Sequence, residues 1–125
     1  MSDVAAEFRR AVETKDMDAA IALLADDVVF HSPIVFKDYV GPQEVGLILR
    51  GVIQVLEDFS YRNEYADVDG AGHVLHFDAR VGDRTLDGVD ILRIRDGKIT
   101  EFTVMVRPYS AATMLRERMA ALLSG

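Results

Sequence analysis

Gly88-Val-Asp-Ile-Leu-Arg-Ile-Arg-Asp-Gly-Lys-Ile-Thr-Glu101 reads as two strands joined by a tight hairpin. Asp96-Gly97 supplies the pair of residues that most readily adopt positive φ in a two-residue loop, with β-branched and aliphatic residues on either side. The strands extend from about Arg84 to Arg95 and from Lys98 to Arg107, where Pro108 stops the second. Setting Arg95 opposite Lys98 predicts Ile94 against Ile99, Leu92 against Glu101 and Asp90 against Thr103. Val89, Ile91, Phe102, Val104 and Val106 then share one face. Asp90, Leu92, Ile94, Ile99, Thr103 and Met105 share the other, with Glu101. Both faces carry too much apolar surface to meet water. One is therefore expected to hold helices and a pocket, and the other to pack on a second copy, giving a homodimer through the sheet.

The segments before the hairpin continue this rhythm. Strands are expected near Tyr61–Val68 and His73–Val81, separated by the turn Asp69-Gly70-Ala71-Gly72. Upstream the period changes to that of a helix. Val4, Phe8 and Val12 recur at four-residue spacing, predicting a helix from Asp3 to Glu13. Asp16 caps a second helix, and Val28–Ser32 makes a short strand before Pro33. Gly41-Pro42 opens a third helix whose apolar stripe runs to Leu56, with Gly46 and Gly51 implying close packing or a bend. Ser110 is expected to cap a C-terminal helix. Helices followed by a run of antiparallel strands define an α+β domain.

With 125 residues, the chain fits one domain, 1–125, able to bury roughly two-thirds of its unfolded surface. No cysteine is present, so disulfides and thiolate metal sites are excluded. Fourteen basic residues against 21 acidic ones leave no basic stripe for a phosphate backbone, so neither nucleic acid nor membrane is an expected partner. No signal peptide or membrane-spanning run is recognisable, and a cytoplasmic location is expected.

Asp90 is the polar residue out of place. Leu86, Leu92 and Ile94 flank it on its own strand face. Lost hydration disfavours the charged carboxylate, so the group needs a hydrogen-bonding partner or serves a ligand. The structural alternative is that Thr103 or a backbone amide simply satisfies it. Tyr61 and Tyr65 fall on one strand face with Asn63, and Tyr39 follows the first strand, so that tyrosine hydroxyls could rim a pocket. His31, His73 and His76 are too scattered for a metal site, and no phosphate-binding loop or nucleophile elbow is present.

Taken together, Lys15–Pro33, Tyr39-Val-Gly41 and the Gly88–Glu101 hairpin resemble the NTF2-like superfamily, and within it the SnoaL-like group of polyketide cyclases and ketosteroid isomerases. The resemblance implies a cone-shaped, curved antiparallel sheet wrapped by N-terminal helices, with a C-terminal helix and a deep apolar pocket. Laid against ketosteroid isomerase, the oxyanion-binding carboxylic acid falls on Asp90. The general-base aspartate falls on Ser32, and the oxyanion-hole tyrosine on Phe8, so the ketosteroid mechanism is not expected. SnoaL-like cyclases carry histidines in the pocket, which makes His31 a second catalytic candidate, although strand alternation points it away from Phe30 and Ser32. The aspartate–arginine–aspartate relay of limonene epoxide hydrolase would need a second aspartate beside Asp90 and Arg107, and Asp87 lies on the opposite face. The expectation is a cofactor-free acid/base enzyme for a small hydrophobic, carbonyl-bearing molecule. Asp90 and His31 would be catalytic, with Phe8, Ser32, Tyr39, Tyr61, Leu92, Thr103 and Met105 touching the ligand. A non-catalytic binding protein or an assembly module of the same fold is the alternative.

Overall fold

In the computed structural model, which describes residues 3–34 and 37–124, α1 (Val4–Glu13) and α2 (Met17–Ala22) precede β1 (Leu24–His31). Then come β2 (Asp38–Val40), α3 (Pro42–Val55), β3 (Glu57–Ala66), β4 (Gly72–Val81), β5 (Arg84–Arg95), β6 (Lys98–Arg107) and α4 (Tyr109–Ser124). Asp3 and Asp16 cap the first two helices, accepting from the backbone N–H groups of Ala6 and Ala19 at 3.1 and 3.2 Å. Ser110 does not cap α4. The Pro108 carbonyl accepts from Ala111 and Ala112, so the helix starts two residues earlier and Ser110 lies inside it. Gly46 and Gly51 answer to packing: a Cβ would lie 3.0 Å from the Ile21 side chain at the first and 3.1 Å from Met119 Cε at the second.

The strands form one curved, unclosed sheet in the order β2-β1-β6-β5-β4-β3. It is antiparallel apart from the β1–β6 pair, which is parallel, so the fully antiparallel sheet is corrected at that one seam. Sequence periodicity missed β2, because three residues are too few to show alternation. The inner face of the sheet and the helices enclose one core, in which Phe102 meets Phe8 at 5.3 Å and Phe30 at 5.4 Å, both edge to face.

The hairpin register departs from the simple extrapolation. Arg95 pairs with Lys98 and Ile94 with Ile99, as the loop demands, but Arg93 then pairs with Glu101. Thr100 is the extra residue of a bulge, its hydroxyl donating to the Arg93 carbonyl at 3.2 Å. Beyond it Leu92 faces Phe102, Asp90 faces Val104 and Val89 faces Met105. A one-residue slip reverses every later side chain. Phe102, Val104 and Val106 therefore join Asp90 and Leu92 on the inner side, while Thr103 and Met105 turn outward. A second irregularity, at Arg62, lets Tyr61 pair with Phe77 and Asn63 with His76. Tyr61 points into the core and Tyr65 is 58% exposed, so the expected common face of the two tyrosines is not formed.

Candidate active site

Asp90 sits mid-strand in β5, with Leu75 of β4 on one side and Val104 of β6 on the other. It is the buried charged residue of the described core, 5% exposed. The Tyr61 hydroxyl donates to its Oδ2 at 2.6 Å. Tyr61, not Thr103 or a backbone amide, is the partner Asp90 required. Burial pushes the Asp90 carboxyl up to about 7, against a smaller opposite pull from the Tyr61 hydrogen bond. Burial, and then the neighbouring Asp90 charge, raise the Tyr61 hydroxyl well above its ordinary value, so Tyr61 remains a donor at neutral pH.

Tyr61 is itself held from α1. Arg9 donates to the Tyr61 carbonyl at 3.1 Å and lies 5.9 Å above its ring, while the Tyr61 backbone N–H donates to Glu13 at 3.4 Å. Arg9 also pairs with Glu13 and Glu64 at 3.5 and 3.7 Å. Sequence reading overlooked Arg9 and Glu13. Their four-residue spacing on α1 shows that they can pair with each other, but nothing in it points to β3.

A hollow of about 60 Å³ opens on Asp90 and Tyr61, walled by Phe8, Phe59, Phe77, Phe102 and aliphatic side chains. It is well below the few hundred Å³ of ordinary small-molecule sites, and is not the deep cavity the resemblance implied. It adjoins a wider groove of about 260 Å³ between α3, α4 and the end of β1. Phe30, Pro33, Val52 and Leu115 line both spaces, so the two adjoin across these side chains.

The candidate residues separate accordingly. Phe8 and Tyr61 line the hollow, and Ser32 and Tyr39 line the groove. Ser32 Oγ also accepts from the Ile34 backbone N–H at 3.0 Å. Leu92 is fully buried but lies outside both linings. Thr103 and Met105 are on the outer face for the register reason given above, and Met105 is 55% exposed.

His31 is not beside Asp90. Phe30 takes the inward position on β1, and His31 lies on the other face between two carboxylates, Asp38 on β2 and Glu101 on β6, each at 2.8 Å. With both ring nitrogens facing acceptors, the imidazolium form is favoured. The hydrogen bond to Glu101, and then that to Asp38, raise its pKa against the pull of partial burial. Also outside is Asp87, which accepts from Arg107 at 2.8 Å and from His76 at 2.9 Å. These contacts, Arg107 first, hold its carboxyl below the ordinary range. Asp87 and Arg107 thus form a surface network separate from Asp90.

The profile of the SnoaL-like domain matches residues 5–102, and the chain belongs to that family, which has the NTF2-like fold. A crystal structure described as a steroid delta-isomerase from Pseudomonas aeruginosa is 42% identical, with a TM-score of 0.93 over 97% of this chain and 89% of that one. An uncharacterised protein with a cystatin-like fold from Silicibacter pomeroyi is 33% identical, with a TM-score of 0.92 over 99% and 87% of the two chains. A de novo designed protein with a curved β-sheet, 16% identical, superposes with a TM-score of 0.73 over 91% and 92%. That last likeness concerns the fold alone, and a fold does not specify an activity. No curated protein matches the chain.

Proposed function

We propose that this protein is a cofactor-independent acid/base enzyme of the isomerase or cyclase type, acting on a small, mostly apolar molecule that carries a carbonyl group. The observation that carries the reading is the Asp90–Tyr61 pair at 2.6 Å on the floor of an otherwise apolar hollow. A carboxyl pushed up to about 7 is present in both protonation states near neutrality. In its ionised form Asp90 is the base of the enolisation, and once it has taken the proton it is the neutral acid beside the enolate. The carboxylate accepts a proton from the adjacent carbon and can return it elsewhere on the substrate. Tyr61 fixes the carboxyl, and the apolar walls exclude water that would restore its ordinary acidity.

Similarity to a chain described as a steroid delta-isomerase supports an isomerase-type reaction. Two features argue against a steroid handled in the ketosteroid isomerase manner. Ser32 and Phe8 stand where that mechanism needs a base and a hydroxyl donor, and the 60 Å³ hollow admits a head group rather than a fused ring system. His31 lies on the outer face between Asp38 and Glu101, so this reading gives it no role. We also propose that the molecule pairs as a homodimer through its outer sheet face, where Tyr65, Val74, Ile91 and Thr103 line a shallow cleft and Met105 is exposed nearby.

The catalytic test uses small β,γ-unsaturated ketones, whose conjugated isomers are read by ultraviolet absorbance. Wild-type protein is expected to catalyse the shift, with kcat rising or falling through a pH near 7. Asp90→Asn, which keeps an acceptor for Tyr61 and removes the acid, is expected to lose at least about a hundredfold, the usual worth of a positioned acid or base. Undiminished turnover in that variant would refute the role of Asp90. Ligand-induced stabilisation without turnover would favour a binding protein instead.

A further inference from the structure

The groove beside the hollow has a chemistry of its own. Its lining is apolar, drawn from Pro33, Ile48, Val52, Met119 and their neighbours, except for Ser32, the Tyr39 hydroxyl and Arg116. Arg116 is the one charged side chain among the described residues that line it, and no carboxylate lines it. Of the chain's eleven arginines, Arg9, Arg50, Arg62, Arg80, Arg84, Arg93 and Arg107 have a carboxylate within 4 Å, whereas Arg10, Arg95, Arg116 and Arg118 have none among the described residues; Arg116 alone of these four lines the groove. Arg116 has no such partner among the described residues. It projects from α4 one residue after Leu115, which lines both groove and hollow. A hydrogen-bonding carboxyl thus lies in the inner space, and a guanidinium without a carboxylate partner lines the apolar groove that adjoins it.

We propose that the substrate is an amphipathic carboxylate, with its carbonyl at Asp90 and Tyr61, its apolar body along the groove and its anionic end on Arg116. The proposal rests on the reading of Asp90 given above and adds the substrate class. Guanidinium is suited to this task, because its planar fork matches a carboxylate with two parallel hydrogen bonds. An exposed position keeps the free cation solvated, so an empty site costs little. The size of the two spaces also restricts the ligand. Together, at about 60 and 260 Å³, they lie near the lower end of small-molecule sites, which suits a medium-chain or single-ring oxo acid.

The experiment uses an oxodecanoic acid with its ketone at the end far from the carboxylate, together with the methyl ester of the same acid. Binding of each is measured by titration calorimetry to wild type, Arg116→Gln and Arg118→Gln. Arg118 is the control: it lies on the same helix but packs toward Gly82, away from the groove. Wild type is expected to prefer the acid by about fivefold, the measure of a solvent-facing ion pair. Arg116→Gln should erase that preference while leaving ester affinity unchanged, and Arg118→Gln should preserve it. Equal binding of acid and ester by wild type, survival of the preference in Arg116→Gln, or no binding of either probe would each overturn the proposal. Turnover tests Asp90 separately. If Asp90→Asn retains the acid preference and wild type shows no turnover of any substrate, the catalytic reading fails and the assignment of Arg116 stands.

Discussion

Asp90 couples folding to pH in a direction opposite to that of most carboxylates. Its ordinary value is 3.8, and in the folded protein it is pushed up to about 7. Between those limits the native state holds a proton that the unfolded chain has released, so stability falls as pH rises through the window. The contribution is complete near pH 4 and lost above pH 7, and its full size is on the order of 4 kcal/mol at 1.36 kcal/mol per pKa unit. Asp90→Asn removes the titration and keeps an acceptor for Tyr61. It is therefore predicted to raise the melting temperature over wild type near pH 8 and to give little or no gain near pH 4. The same offset at both values would mean that Asp90 does not titrate in this window. Asp90 was legible in the sequence because a charged residue among Leu86, Leu92 and Ile94 stands out. Tyr61 as its partner was not, since 29 residues separate the two and the side on which Tyr61 lies depends on the bulge at Arg62.

Bulges and close approaches govern the elements. Gly88 lies on β5 where a Cβ would fall 2.3 Å from the Met105 carbonyl oxygen and 2.7 Å from Phe77 Cζ. Backbone cannot yield as a side-chain tip does, so Gly88→Ala is predicted to force β5 and β6 apart and cost about 3 kcal/mol, at the upper end for overpacking. Gly51→Ala is the contrasting case. Its Cβ meets the flexible end of Met119, and the gain in helix propensity of ~1 kcal/mol offsets the adjustment. Denaturant melts of the two variants should differ accordingly, and equal losses would refute the distinction. The Thr100 bulge did leave a trace in the sequence. Ile99 and Phe102 are three residues apart, whereas Phe102, Val104 and Val106 alternate by two, and that change of phase marks the extra residue. The bulge at Arg62 leaves no such mark, because polar residues surround it.

The whole molecule presents two unlike sheet faces. The inner one is closed by helices over Asp90. The outer one mixes apolar residues with ion pairs such as Arg62–Asp78 and Arg107–Asp87. Met105 and Tyr65, both more than half exposed there, leave apolar surface that a second copy would cover. Sedimentation at micromolar concentration is predicted to show a dimer, and Met105→Asp to shift it toward monomer. A wild-type monomer under those conditions would remove the homodimer from the reading. Among the described residues no helix is long and apolar enough to cross a membrane.

By itself the sequence determined the order of helices and strands apart from β2, the Asp96-Gly97 loop and the misplaced acid at Asp90. These follow from propensity, periodicity and turn chemistry, which act between neighbours in the chain. Tertiary structure alone decided which face each later side chain takes, that Tyr61 rather than His31 meets Asp90, and how small the hollow is. Those outcomes depend on slips of one residue between strands and on packing across distant segments, where a single added residue exchanges inside for outside.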